Sequence, residues 1–231
     1  MGLWEWLFGS PSRTQQRKAT ARQAAAHDPR EVEANERRAD EAALQALTPG
    51  TEGTIRSLIS EARQLRLSKA STGDNLYDQL NAHGVSQEEM RLAAARALGD
   101  TGKAPTLGEL LQRISQRFAA RPLSDVSGLG VTLYGAAVAL NKAGRDDHFP
   151  ALYEAARLHL LDMERSGMTR AEILTAGDGS CAACRSRKRL VWTVEAALRN
   201  MPIPTKRCSF HLNGSPDTRG FCRCGWLPVI D

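Results

Sequence analysis

All five cysteines of this 231-residue chain lie between positions 181 and 224, and that crowding constrains the fold more than any other feature. They run as Cys181-Ala182-Ala183-Cys184, then Cys208, then Cys222-Arg223-Cys224, with His211 three residues after Cys208. A Cys-x-x-Cys on a tight turn presents two thiolates to one ion, and zinc takes four such donors at tetrahedral corners. A thioredoxin-like redox pair would need a surrounding βαβ pattern, which is missing. A disulfide framework would need an oxidising compartment and an even count. Catalytic thiol chemistry would leave Cys208, Cys222 and Cys224 without a purpose. The candidate metal ligands are therefore Cys181, Cys184, Cys208, Cys222 and Cys224, with His211 in reserve. Which four bind stays open, because Cys222 and Cys224, only two positions apart, strain a single tetrahedron.

Size supports a metal. A segment of about 50 residues with few large apolar side chains does not fold on hydrophobic burial alone, and zinc contributes of order 10 kcal/mol to such folds. Its expected core is Trp192, Val194, Ala197 and Leu198 on a short helix, with Phe221, Trp226, Leu227 and Val229 from the C-terminal segment. Ile173, Leu174 and Thr175 read as a strand, and Gly177-Asp178-Gly179 as a turn. Met201-Pro202-Ile203-Pro204 should break the helix and return the chain toward Cys208.

The stretch ILTAGDGSCAAC (173–184), followed about 40 residues later by GFCRCGWLPV (220–229), resembles the C-terminal signature of phage head-morphogenesis, or minor head, proteins. The positions that match are Gly177, Asp178, Cys181, Cys184, Cys222, Arg223 and Cys224. The resemblance covers roughly residues 172–230 and implies a shared zinc-bound module. Where that family has a Leu-Asp-Gly-Lys-like turn, this chain has Arg185-Ser186-Arg187-Lys188-Arg189. Where the family has His-Pro-Asn, it has Thr218-Arg219-Gly220-Phe221. Cys208 lies outside the pattern.

Charge follows the same division. The chain has 31 Lys+Arg against 26 Asp+Glu, a net of +5. Residues 1–180 hold 22 basic and 23 acidic side chains, whereas residues 181–231 hold 9 and 3, a local net of +6. One or two of these cations suffice to stabilise zinc-bound thiolates, which leave a ZnS4 centre at about −2. The remainder suit phosphates, so Arg185, Arg187, Lys188, Arg189, Lys206 and Arg207 are the candidate nucleic-acid contacts; an acidic protein partner is the other reading. Trp192, Phe210 and Trp226 could stack on bases if exposed.

The rest of the chain reads as helix. Residues 11–50 are rich in Arg, Glu, Gln and Ala with almost no large apolar residue before Leu44, a charged helical tether broken at Pro29 and ended by Pro49-Gly50. Residues 51–170 read as a helical bundle. Ile55, Leu58, Ile59, Ala62 and Leu65 form one apolar face. Ser86 with Glu89 and Thr106 with Glu109 are capping boxes, the first opening a helix that should stop at Gly99 and the second leading into Leu107, Leu110, Leu111, Ile114 and Phe118. Residues 129–143 and 150–166 read as an antiparallel pair, closed by Gly167. His83, His148 and His159 have no partners at ligand spacing, and Asp146-Asp147 beside Arg145 reads as capping. The apolar segment of residues 1–10, with Trp4 and Trp6, lacks the basic flank and length of a signal peptide, and is expected to dock on the body or bind a partner.

The expected fold class is mainly α, a helical bundle followed by a small zinc-stabilised α+β module at 171–231. No phosphate loop, nucleophile elbow or His-Glu-x-x-His pattern is present. The expectation is a non-enzymatic, cytoplasmic zinc protein whose basic module contacts nucleic acid or a protein partner and whose helical body mediates protein interaction. A phage-derived structural protein of head assembly and a zinc-dependent nuclease-like enzyme are the alternatives.

Overall fold

A computed structural model describes residues 29–67, 75–121, 124–212 and 220–230. The Trp-containing segment 1–10 lies outside them. The described residues are mainly helical, with one small antiparallel sheet near the C-terminus. Two compact units divide the chain, residues 1–46 and residues 47–231.

The first unit contains α1 (Pro29–Gln45), and none of its side chains described from Ala34 onward is buried. Pro29 opens this helix instead of breaking it. The fixed φ of proline suits a first helical turn, where its missing N–H costs nothing. The same correction applies at Pro49, which starts α2 (Pro49–Gln64) behind a Thr48 cap whose side chain accepts from the Thr51 N–H.

In the second unit, α2 is followed by α3 (Leu76–Ala82), α4 (Gln87–Thr101), α5 (Leu107–Ala119), α6 (Val126–Lys142) and α7 (His148–Arg165). Both expected capping boxes form. The Glu89 and Glu109 carboxylates accept from the N–H groups of Ser86 and Thr106 at 2.8 Å each. α4 runs past Gly99 to Thr101, and Gly102 at φ +65° ends it. The helix needs its left-handed residue only at that point, so the earlier glycine is absorbed into the last turns.

α6 and α7 form the most extensive helix pair. Leu129, Leu133, Ala136, Ala137 and Leu140 from one, and Ala151, Leu158 and Leu160 from the other, are fully or almost fully buried. The expected stripe of α5 is also interior: Leu107, Leu110 and Leu111 are at most 1 % exposed. The α5–α7 contact is polar in one place. The Glu154 carboxylate, 1 % exposed, accepts from Arg157 Nε at 2.6 Å and from Ser115 Oγ at 3.0 Å. Asp147 caps α5 across the loop, accepting from the Gly108 N–H at 3.1 Å, while Arg145 holds its other side. Residue 108 has to be glycine, because a Cβ there would sit 1.7 Å from the Asp147 carbonyl oxygen. His83 is held by Thr132 Oγ1 at 3.0 Å; His148 Nδ1 bonds to the Arg145 carbonyl at 2.8 Å, while its buried Nε2 has no hydrogen-bond partner and its ring stacks on Phe221 at 5.8 Å.

After Gly167 at φ +78° the chain turns into β1 (Arg170–Leu174), which lies between β2 (Val191–Thr193) and β3 (Gly225–Pro228), both antiparallel to it. A 3₁₀ turn (Gly177–Gly179), a one-turn helix α8 (Ala182–Arg185) and α9 (Val194–Asn200) complete the unit. Trp192, expected on the short helix, sits on β2, and α9 begins only after Thr193, whose hydroxyl accepts from the Ala196 N–H. The sheet turns Ala171, Ile173 and Trp226 inward against Leu160 and Met163 of α7, with Val194, Ala197, Met201 and Ile203 completing the cluster. Leu227, expected in the core, is 48 % exposed because its register partner is Glu172 on the outer face. The change at residue 170 is thus one of secondary structure and not of packing: bundle and sheet share one apolar core.

Candidate metal centre

Each cysteine is delivered by a short structure that the local sequence explains. Ala176 and the 3₁₀ turn, with Gly177 at φ +71°, lead to Cys181 at the N-cap of α8. The N–H groups of Cys184 and Arg185 return to the Cys181 carbonyl at 3.0 and 2.9 Å, so both thiols of the pair face one side of a single turn. Cys208 follows a turn closed by its own N–H to the Thr205 carbonyl at 3.2 Å. The segment entering Cys222 runs against it, with the Phe221 N–H donating to the Phe210 carbonyl at 2.6 Å. Gly220 permits that approach, since a Cβ there would meet the Cys208 carbonyl oxygen at 1.9 Å.

The result is a cluster of all five thiols, none in a disulfide. Cys181 and Cys208 Sγ are 3.7 Å apart, Cys184 and Cys208 3.8 Å, and Cys184 and Cys222 3.8 Å. Two triads able to hold a metal ion emerge, Cys181–Cys184–Cys208 and Cys184–Cys222–Cys224, sharing Cys184. Cys184, Cys208 and Cys222 are buried, and Cys181 and Cys224 half-buried. A cavity of about 10 Å³ beside the thiols is lined by Cys181, Cys184, Cys208 and Cys224 together with Phe210 and Arg223.

The surroundings sort the thiols electrostatically. Burial pushes the Cys181 thiol up, but N–H donors from Ser209 and Cys184 outweigh it and bring the group down to about 7. Cys222 is drawn far below the usual thiol range by hydrogen bonds from the Cys208 and Cys224 thiols and by the Thr205 and Cys224 N–H groups. Cys208 and Cys224 move up in consequence, because each serves as a donor to Cys222 and is desolvated. Burial lifts Cys184 to about 11. Backbone N–H groups aimed at buried sulfurs favour thiolate, the form that binds metal.

His211 belongs to neither triad; its Nδ1 is buried without a hydrogen-bond partner. The six basic side chains separate. Arg185 donates to the Ser180 carbonyl at 2.6 Å and Arg187 to the Ala183 carbonyl, so both brace the turn that carries the first cysteine pair. Arg189, at φ +60°, faces Glu172 at 4.0 Å, and Lys188 is exposed. Lys206 lies over the Phe149 ring, 5.4 Å from its centroid, and Arg207 is exposed. Of the three aromatics considered for base stacking, Trp226 is buried, Trp192 packs on the core and Phe210 is covered by the Arg223 guanidinium at 3.5 Å.

Sequence reading did not bring Gln112 and Tyr153 of the bundle together with Arg187, Thr205 and Lys206, which line a common cleft of about 490 Å³. Gln112 and Tyr153 come from two helices at unrelated spacings, so no local motif marks them. Among the described residues no helix is long and apolar enough to cross a membrane. No family model, curated protein or solved structure matches this chain, so the resemblance at residues 173–184 and 220–229 rests on those residues alone.

Proposed function

We propose that this chain is a non-enzymatic zinc protein in which a buried tetrathiolate centre fixes the C-terminal segment and presents a basic surface to nucleic acid. The carrying observation is the sulfur spacing. A tetrahedral centre with zinc–sulfur bonds of about 2.3 Å has sulfur–sulfur edges of about 3.8 Å. Three sulfur–sulfur separations, 3.7, 3.8 and 3.8 Å, match that edge and link Cys181, Cys208, Cys184 and Cys222 in a row, with Cys224 grouped beside Cys184 and Cys222 as the other candidate for the fourth corner. An all-thiolate, tetrahedral set favours zinc over harder cations, and burial of three of its members suits a closed, structural site. Cys224 is the supernumerary thiol, packed against the apolar core and donating to Cys222. The cations around the cluster support a polyanionic partner. Arg187, Lys188, Arg189, Lys206 and Arg207 belong to the segment that carries the cysteines, which has a net of +6.

Elemental analysis of the purified full chain tests the centre. The expected result is one zinc per chain, absent in Cys184→Ser and retained in Cys224→Ser. Zinc-free wild-type protein overturns the reading, and retention by Cys222→Ser with loss in Cys224→Ser reassigns the fourth ligand.

A further inference from the structure

Beside the thiol cluster lies a cleft of about 490 Å³ whose walls come from opposite halves of the unit. Gln112 of α5 and Phe149, Pro150 and Tyr153 from the first turns of α7 form one wall, and Met201, Pro202, Pro204, Thr205, Lys206 and Arg187 form the other. Its lining holds two cations, Arg187 and Lys206, and no carboxylate. The Arg187 side chain is pinned by its bond to the Ala183 carbonyl, and the Lys206 ammonium is held over the Phe149 ring. The rest of the lining includes the Tyr153 ring, Met201, Pro202 and Pro204. Two cations in a lining that also holds an aromatic ring, a methionine and prolines suit a ligand that combines a phosphate with a planar ring. The volume lies in the range of small-molecule sites and suits a ligand of about one nucleotide.

From this geometry we infer that the Arg187–Lys206 cleft is a nucleotide-sized phosphate site, taking one unit of a single-stranded nucleic acid or a free nucleoside monophosphate. The inference rests on the proposed zinc centre in one respect. Thr205 in the cleft wall sends its N–H to Cys222, and Arg187 returns its N–H to the Cys184 carbonyl at 3.0 Å, so the thiol cluster sets the distance between the two cations. Lys188, Arg189 and Arg207 lie outside the lining and contribute charge without shape. Aliphatic residues exposed elsewhere on the sheet, such as Leu174 and Leu227, offer nothing to a phosphate and are not part of this site.

The test uses the full-length, metal-assayed chain and fluorescence anisotropy of a labelled ten-nucleotide single strand at low salt, with adenosine monophosphate, inorganic phosphate and an acidic decapeptide as competitors. Arg187→Ala combined with Lys206→Ala should weaken binding about tenfold or more and flatten the salt dependence by about two charges. Arg56→Ala, a 75 % exposed cation on α2, should leave both unchanged. Competition by adenosine monophosphate assigns the site to single nucleotides, and competition only by longer strands assigns it to a polymer. Equal binding by the double variant, no binding of any strand, or displacement by the peptide alone overturns the inference. The metal content of the same preparations separates the two readings. A full complement of zinc with no strand binding rejects the cleft and spares the centre. Absence of zinc with cleft-dependent binding rejects the centre and spares the cleft.

Discussion

Between Pro49 and Arg165, six helices bury leucines, alanines and two phenylalanines along faces that recur every three or four residues. Between Arg170 and Ile230, three strands of three to five residues and three short helical pieces enclose five thiols. The first region holds itself together by area: each fully buried Leu contributes about 1.5–3 kcal/mol, and Leu129, Leu133, Leu140, Leu158 and Leu160 are all at 0 % exposure. The second has support on two sides. Ile173, Val194, Ala197, Ile203 and Trp226 lean on Leu160 and Met163 of α7, while the loops carrying the cysteines reach the bundle at few points, chiefly the Phe221 ring, 5.7 Å from Tyr134 and 5.8 Å from His148. The difference teaches where a metal matters. Strand β1 and helix α9 have an apolar foundation; the segments at 177–187, 205–212 and 220–224 converge on sulfur.

Removing the metal breaks this comparison most severely. Chelation is expected to withdraw on the order of 10 kcal/mol of binding free energy from the thiol loops. Hydrogen exchange should then accelerate at Arg185, Cys208 and Phe221, whose amides close the loops, while the α5 and α6 amides stay protected. Loss of protection throughout the unit would show that the loops also support the bundle. Unchanged protection at Phe221 would show that packing alone holds them.

Leu133→Ala attacks the other side. A Leu fully buried between α6 and its neighbours leaves a cavity, and the expected loss is about 2–5 kcal/mol in denaturant unfolding. Zinc content should stay at its wild-type level in the fraction that remains folded, because no thiol touches this position. Parallel loss of metal and helix would erase the distinction between the two regions.

The bundle was legible because its signals are local. The stripe through Leu107, Leu110, Leu111, Ile114 and Phe118 and both capping boxes repeat at helical spacing, and the helices follow them. Prolines 29 and 49 misled because proline stops a helix from within yet opens one at its first turn, and composition alone does not say which end is meant. The thiols were legible as a set, since one ion demands several soft donors. Their partition was not. Cys222 and Cys224 differ in which backbone N–H groups reach them and in burial against Trp226, and these are tertiary facts. Trp192 misled for a similar reason: its β2 pairing is with Ala171, 21 residues earlier, while the helix signal of Val194–Asn200 begins right beside it. The cleft was invisible in sequence for the same reason, because Gln112, Tyr153, Arg187 and Lys206 meet only after α5, α7 and the thiol loops have packed.

The smallest expected effect lies at the start of α5, where two caps converge. Thr106 Oγ1 accepts from the Glu109 N–H at 3.3 Å, and the Asp147 carboxylate accepts from the Gly108 N–H at 3.1 Å. Thr106→Ala removes the first and should cost about 1 kcal/mol, with Thr106→Ser nearly neutral because the hydroxyl is kept. The cost should appear in thermal unfolding and leave zinc content and oligonucleotide affinity untouched, because α5 meets the cleft only through Gln112, nearly two turns further on. A change in affinity would mean that the first turn of α5 sets the cleft wall through Asp147 and the start of α7. The two regions would then be coupled at this loop as well as through Leu160 and Met163. Asp147→Asn separates the cases: it keeps a side-chain oxygen for the Gly108 N–H but loses the Arg145 ion pair. A shift in affinity there, without one in Thr106→Ala, would place the coupling in the α6–α7 loop and not in the helix start.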